Sequence, residues 1–138
     1  MDKTTGYSGT PLAKKLGLNP GFSIHLINQP DDYWKLFESL PEGIYEVEDR
    51  KKESVDFIHF FCSMKEDLEA HSKSCKSLLK KTGMLWVSWP KGSSKMVTDL
   101  KRDLIREYFL DLGLVDVKVA AINEDWSGLK FVYRTKDR

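Results

Sequence analysis

Hydrophobic and polar positions follow two different periods along the chain, and the period indicates which segments are strands and which are helices. Apolar runs rich in β-branched and aromatic residues, bounded by turn residues, predict strands at 22–28, 44–47, 55–61, 84–89, 115–122 and 129–134. Apolar residues at helical spacing predict helices at 11–16, 33–40, 64–81 and 97–112. The polar, glycine-containing residues 1–9 are expected to form a loose tail.

Capping signals mark several helix ends. Thr10 is expected to be the N-cap of the first helix, with Pro11 at its first helical position and Gly17 at its end. An S-x-x-E motif that starts at Ser63 predicts a capping box directly after a strand. Gly113 is expected to end the last long helix.

The order of these elements predicts the fold class. Alternating strands and helices form a largely parallel sheet with helices on both faces, which is a three-layer, Rossmann-like α/β sandwich of about six strands. Residues 55–61 and 84–89 are apolar on both faces and are therefore expected to be central strands. The last two strands predict an antiparallel hairpin at or near one edge. Without an internal repeat or linker, residues 10–138 are expected to form a single domain.

Composition narrows the class of protein. Hydrophobic residues make up 41% and charged residues 31%, which is typical of a folded globular domain. A net charge of +1 argues against a nucleic-acid-binding protein. No apolar run approaches the roughly 18 residues of a membrane span, and the first residues lack the core of a secretory signal, so we expect a cytoplasmic protein with no membrane partner.

Cysteine and histidine spacing argues against a disulfide scaffold or a metal site. Cys62 and Cys75 form no CxxC motif, and no HxH, HxxxH or HExxH spacing exists. His25 and His59 lie in predicted neighbouring strands. We expect them to face each other and to be satisfied by hydrogen bonds rather than to bind a metal.

The order of elements is similar to that of S-adenosylmethionine-dependent methyltransferases, a Rossmann-like fold whose last two strands form such a hairpin. The segment between residues 47 and 55 is too short for the further helix and strand that this fold usually has. The resemblance therefore implies a trimmed methyltransferase-like fold, with S-adenosylmethionine as the cofactor to consider.

A second resemblance is local. LAKKLGLNPG at 12–21, GMLWVSWPK at 83–91, TDL at 98–100 and residues 113–134 resemble an uncharacterised bacterial family, described as a domain of unknown function. Members have a second lysine after WPK, where this chain has Gly92, and often a cysteine where it has Ala120. A cysteine nucleophile at that position is therefore excluded here.

In open α/β sheets, ligands bind outside the carboxyl ends of the strands, so the loop after Asn28 is the first candidate site. This loop has no glycine for close approach to a cofactor, and Asp31 and Asp32 would repel a phosphate. S-adenosylmethionine carries no phosphate and is less strongly excluded. Glu48 or Asp49 lies where a ribose-binding carboxylate belongs, although a solvated charged loop is the interpretation we favour.

Cys62 and Ser63 form the second candidate loop. The thiol of Cys62, at a helix N-terminus, could have a lowered pKa. No histidine is placed by the sequence to act as its base. The interpretation we favour is therefore that Cys62 is a small, buried hydrophobic residue.

Lys91, Ser93 and Ser94 belong to the third candidate loop, which follows Trp89. They precede a predicted helix whose N-terminal amides attract anions. The alternative we favour is an exposed turn, with Trp86 or Trp89 packing the sheet against a helix and Ser94 or Thr98 as the helix cap.

Trp126 lies in a polar turn, which is unusual for tryptophan. It either folds back as a lid on the core, which we favour, or is presented to a ligand or partner.

Three functions remain open. The first is a small-ligand-binding domain without catalysis. The second is an active methyltransferase, with S-adenosylmethionine beside residues 28–32 and Glu48 or Asp49 on its ribose. The third is a protein interaction module, such as a homodimer formed through a tryptophan-bearing edge. Cofactor binding separates the first two from the third, and methyl transfer separates the second from the first.

Overall fold

The computed structural model describes residues 10–138, and the predicted tail at 1–9 lies outside this range. The strands are β1 Ser23–Ile27, β2 Tyr45–Glu46, β3 Val55–Phe61, β4 Leu79–Pro90, β5 Leu114–Ala121 and β6 Trp126–Tyr133. The helices are α1 Leu12–Leu16, α2 Lys65–Leu78 and α3 Arg102–Asp111, and 3₁₀ turns occupy Tyr33–Leu36 and Thr135–Asp137.

All six strands form one sheet in the order β2-β1-β3-β4-β6-β5. The first four strands are parallel, and β6 is antiparallel to both of its neighbours, so the closing hairpin places β6 inside the sheet and β5 at its edge. The chain has a mostly parallel, Rossmann-like α/β fold, as predicted. Among the described residues, no helix or strand lies between β2 and β3, which leaves the two-residue β2 as the opposite edge.

The sheet is covered on both faces. On what we call the first face, α2 and α3 contribute Leu68, Cys75, Ile105 and Phe109 to the core. On the second face, α1 and the Tyr33–Leu36 turn contribute a smaller cluster that includes Leu16. Side chains alternate between faces along a strand, which explains why a central strand such as β3 carries apolar residues on both faces.

The start of α2 differs from the prediction. Met64 is the N-cap residue, and no side chain at this position caps the helix. The prediction of a capping box at Ser63 is therefore wrong. The Asp99 carboxylate instead accepts a hydrogen bond from the Lys65 N–H, at 2.7 Å, and the Thr98 hydroxyl donates to the Ser63 carbonyl. Because these contacts hold the segment before α3 in an irregular path, α3 begins at residue 102 rather than 97.

Three further expectations need correction. At the first helix, Pro11 rather than Thr10 holds the N-cap position. Residues 79–81, predicted to end α2, are extended and begin β4. The helix predicted at 33–40 is a single 3₁₀ turn, because Tyr33 and Phe37 both insert into the second-face core.

His25 and His59 do not face each other. In the β1–β3 register, Leu26 pairs with His59 and His25 pairs with Ile58. Register partners in parallel strands share a face, so the two imidazoles lie on opposite faces of the sheet. The prediction that they face each other is wrong.

Candidate functional site

The exit from β1 makes a sharp turn although it lacks glycine. Asn28, the first residue after β1, is exposed and has a φ of 56°, in the left-handed region. Asparagine is one of the few non-glycine residues that adopt this conformation readily. The chain therefore makes a sharp turn at the carboxyl end of β1, next to the point where the strand order reverses. Asp31 and Asp32 follow and are exposed.

A depression of about 230 Å³ lies beside β1 and β2. Its lining consists of Ile24, Trp34, Leu40, Ile44, Tyr45 and Glu46. We call it the Trp34 depression. Trp34 is 37% exposed and Tyr45 is 59% exposed, so two aromatic rings are available at the surface. The volume is smaller than the roughly 300–1,000 Å³ of drug-sized ligand pockets.

Trp34, Tyr45 and Glu46 were not among the residues predicted from the sequence. The acidic residue of this strand end was expected at Glu48 or Asp49, whereas β2 ends at Glu46. The missed signal was an aromatic residue in a polar stretch directly after a strand exit. Glu48 and Asp49 are exposed in the bend that follows β2. Their role as a ribose-binding carboxylate stays a prediction.

On the second face, a buried chain of hydrogen bonds runs from the loop after β1 across β3 to β4. The Tyr33 hydroxyl lies 2.9 Å from Nδ1 of His59, and Nε2 of His59 lies 2.7 Å from Oγ of Ser88. Burial lowers the pKa of His59 to about 3, so its imidazole is neutral. Burial, and then the Glu46 carboxylate, raises the pKa of Tyr33. His59 is fully enclosed and is not an accessible base.

The second candidate loop holds no reactive thiol. Cys62 is 1% exposed, and its backbone N–H donates to the Ser88 carbonyl at 2.9 Å. Burial raises the pKa of Cys62, which contradicts the lowered pKa considered for a helix N-terminus. Burial also raises the pKa of Cys75, to about 12. Ser63 is half-buried, and its carbonyl is occupied by Thr98.

The third candidate loop is bound to the β5–β6 hairpin. The Lys91 N–H donates to the Asp125 carbonyl at 2.8 Å, and the Ser94 hydroxyl donates to the Asp125 carboxylate at 3.0 Å. Ser93 is exposed, and Trp89 is buried in the first-face core. α3 begins only at residue 102, so the helix N-terminus predicted directly after this loop is absent there. Neither Ser94 nor Thr98 caps α3.

Trp126 is the first residue of β6, so the prediction that it lies in a polar turn is wrong. Its ring packs edge-on against Phe61 with centroids 4.9 Å apart, and it is half-buried against the second-face core. This geometry agrees with the favoured interpretation of a lid on the core.

The structure therefore separates the predicted site residues into two groups. Asn28, Asp31 and Asp32 are exposed in the loop that leads from β1 to Trp34. Cys62, Ser63, Trp89 and Ser94 are committed to internal contacts. Within residues 10–138, no cluster of three or more histidine, cysteine, aspartate or glutamate side chains could hold a metal ion. In the same range no helix is both long and apolar enough to cross a bilayer.

Comparison with solved structures agrees with this fold. A SAM-dependent methyltransferase from Aquifex aeolicus matches with a TM-score of 0.60 at 13% identity, over 87% of this chain and 86% of that chain. Fibrillarin from Aeropyrum pernix, solved with natively bound S-adenosyl-L-methionine, matches at 0.56 and 13% identity, over 87% and 72%. A ribosomal protein L11 methylase from Lactobacillus delbrueckii matches at 0.55 and 10% identity, over 88% and 74%.

No protein-family model and no curated protein matches the sequence. At identities this low, the structural matches establish the methyltransferase-like fold and leave the activity to be argued from the site.

Proposed function

We propose that the protein binds a small molecule with an aromatic ring in the Trp34 depression and does not catalyse methyl transfer. The adenosyl compounds S-adenosylmethionine and S-adenosylhomocysteine are the first candidates, because proteins of this fold include ones solved with such a ligand. The observation that carries the proposal is the position of Trp34 and Tyr45, two exposed aromatic rings around one depression.

Three features support a ligand of this chemistry. An aromatic ring gains stacking and apolar burial against Trp34 or Tyr45. The Glu46 carboxylate at the rim accepts hydrogen bonds from hydroxyl or amino groups. Asp31 and Asp32 follow the Asn28 turn and favour a neutral or cationic ligand over a phosphate.

Neither of the two side chains best suited to catalysis is placed to take part in it. His59 would be the natural general base, but it is fully enclosed and its nitrogens are both engaged. Cys62 would be the natural nucleophile, but its thiol is buried and protonated. Within residues 10–138, neither group opens onto the Trp34 depression.

Calorimetric titration with both adenosyl compounds tests this proposal. We expect saturable binding at micromolar ligand, at least tenfold weaker binding in Trp34→Ala, and near-normal binding in Trp34→Phe, which keeps a ring. Glu46→Gln should weaken binding severalfold, because a neutral amide is a weaker acceptor. Glu124→Gln, in the exposed β5–β6 turn, is the matched control and should bind like wild type.

The non-catalytic part of the proposal has its own test. Incubation with S-adenosylmethionine and a panel of amine, hydroxyl and thiol acceptors should release no S-adenosylhomocysteine above the uncatalysed rate. Enzyme-dependent release that is lost in Trp34→Ala would show an active methyltransferase instead. If neither compound binds at millimolar concentration, the proposal as a whole is overturned.

A further inference from the structure

Two lysines lie directly opposite each other in the β5–β6 ladder. Lys118 pairs with Lys130, and partners in an antiparallel ladder project from the same face, with Cβ atoms about 5 Å apart. Ala120 follows the same alternation and belongs to the second-face core, so this lysine pair lies on the second face. Like charges at directly opposite positions of a ladder are destabilising.

Helix α1 brings a third lysine to the pair. The Lys118 ammonium group donates to the Lys15 carbonyl at 2.7 Å, near the C-terminal end of α1. The Lys15 ammonium group donates to the Ala121 carbonyl at 3.2 Å. Backbone carbonyls therefore hold these two cations in place instead of leaving them dispersed in solvent.

Among residues 10–138, no backbone carbonyl accepts a hydrogen bond from the Lys130 ammonium group. This group lies beside the turn at Gly17, where a methyl group added to the glycine would come within 3.6 Å of it. Within residues 10–138, no carboxylate lies at salt-bridge distance from Lys118 or Lys130. Burial and then the charge of Lys118 lower the pKa of Lys130.

The concentration of positive charge is local. The chain as a whole carries a net charge of only +1, so the cluster does not follow from a basic composition. A lysine ammonium group binds phosphate as a point charge, and two that share one face add their attraction. The opposed pair Lys118 and Lys130 suits one small polyanion and not an extended nucleic-acid backbone.

We propose that Lys118 and Lys130, with Lys15 beside them, bind a small phosphate-bearing ligand on the second face of the β5–β6 hairpin. This site lies at the opposite end of the sheet from the Trp34 depression and is independent of the function proposed there. The bound phosphate would neutralise the charge repulsion between the opposed lysines. The repulsion in the unliganded protein is then a feature of the binding site.

NMR titration with inorganic pyrophosphate at constant ionic strength tests this inference. We expect saturable shifts of the backbone amides of Gly17, Lys118 and Lys130, together with a rise in melting temperature. Lys130→Met keeps most of the apolar stem and should bind pyrophosphate at least tenfold more weakly. Lys136→Met, in the exposed Thr135–Asp137 turn, is the matched control and should bind like wild type.

The melting temperature without ligand separates a binding role from a structural one. If the lysines serve a ligand, Lys130→Met should melt at the same temperature as wild type or higher, because the repulsion is relieved. A clearly lower melting temperature would show that Lys130 stabilises the fold and would overturn the inference. Shifts that do not saturate, or that are equal in Lys130→Met and wild type, would also overturn it. Tighter binding of a short RNA through the same amides would overturn the choice of a small ligand.

Discussion

The Tyr33 hydroxyl lies 2.9 Å from Nδ1 of His59 and ties the loop after β1 to the middle of the sheet. Tyr33 is 2% exposed, and its neighbour Trp34 lies at the surface in the Trp34 depression. A buried hydrogen bond therefore fixes the backbone that presents the proposed ligand-binding ring. Rigid support of this kind reduces the ordering cost of binding.

Tyr33→Phe should destabilise the protein, because it leaves one nitrogen of the buried His59 without a partner. The expected loss in the free energy of unfolding is about 1–3 kcal/mol, measured by urea denaturation. The control is Tyr108→Phe, whose half-buried hydroxyl has no hydrogen-bond partner among residues 10–138 and whose loss should cost less than about 0.5 kcal/mol. Equal losses in the two variants would show that the Tyr33–His59 contact contributes nothing.

Stability should fall as the pH decreases below neutrality. His59 titrates near 6.5 when unfolded, and burial lowers its pKa to about 3 in the folded protein. The unfolded state therefore binds more protons between these values. The contribution of neutral His59 is complete above about pH 6.5 and is lost as the pH falls toward 3, with a slope of up to about 1.4 kcal/mol per pH unit.

The variant His59→Gln checks this assignment. Its free energy of unfolding should depend less steeply on pH between 6.5 and 5 than that of wild type, as measured by urea denaturation at several pH values. Burial also lowers the pKa of His25, so a smaller slope of the same sign should remain. An unchanged slope in His59→Gln would assign the pH dependence to other groups.

Asp99→Ala should weaken the start of α2 by about 1 kcal/mol, the usual loss when a helix cap is removed. Asp99→Asn keeps an oxygen acceptor and should lose less. Hydrogen exchange of the Lys65 amide should accelerate in Asp99→Ala, because that N–H loses its acceptor. Glu124→Ala, an exposed carboxylate in the hairpin turn, should leave both quantities unchanged. Equal exchange rates in Asp99→Ala and wild type would mean that Asp99 does not cap α2 in solution.

Gly83→Ala and Gly92→Ala should differ sharply. A methyl group at Gly83 would lie 2.9 Å from the Val55 carbonyl oxygen and 3.0 Å from that of Asp56, and neither backbone atom can move easily. At Gly92, nothing lies within 4 Å. Thermal denaturation should show a loss of about 1–3 kcal/mol for Gly83→Ala and almost none for Gly92→Ala. Similar stabilities would contradict the close approach of β3 to Gly83.

Much of the fold could be predicted from sequence, because the buried strands are locally distinctive. Residues 55–61 are apolar on both faces because they are buried between two helical layers, and the sequence pattern alone indicates this. The hairpin could likewise be predicted from adjacent strands and a short turn. The position of β6 between β4 and the edge strand β5 depends on tertiary pairing, which no local pattern specifies.

The errors in the prediction arise where distant residues replace a local signal. Ser63 begins a capping-box motif, yet Asp99 caps α2 at Lys65 from 34 positions further along the chain. The same contact shortens α3, because Thr98 and Asp99 are held against α2. In the candidate site, the loop after β1 was predicted to lack a glycine for close approach to a cofactor, and the left-handed conformation of Asn28 became visible only in the structure.

The most direct test of the central claim is an NMR titration with S-adenosylhomocysteine, followed on the indole N–H signals of the four tryptophans. We predict a saturable shift of the Trp34 indole, with accompanying shifts of the Asn28 and Glu46 amides. The indoles of Trp86 and Trp89, which are buried, should not move. No shift at millimolar ligand, or shifts centred on Trp126 and the loop after Trp89, would contradict the proposed binding site.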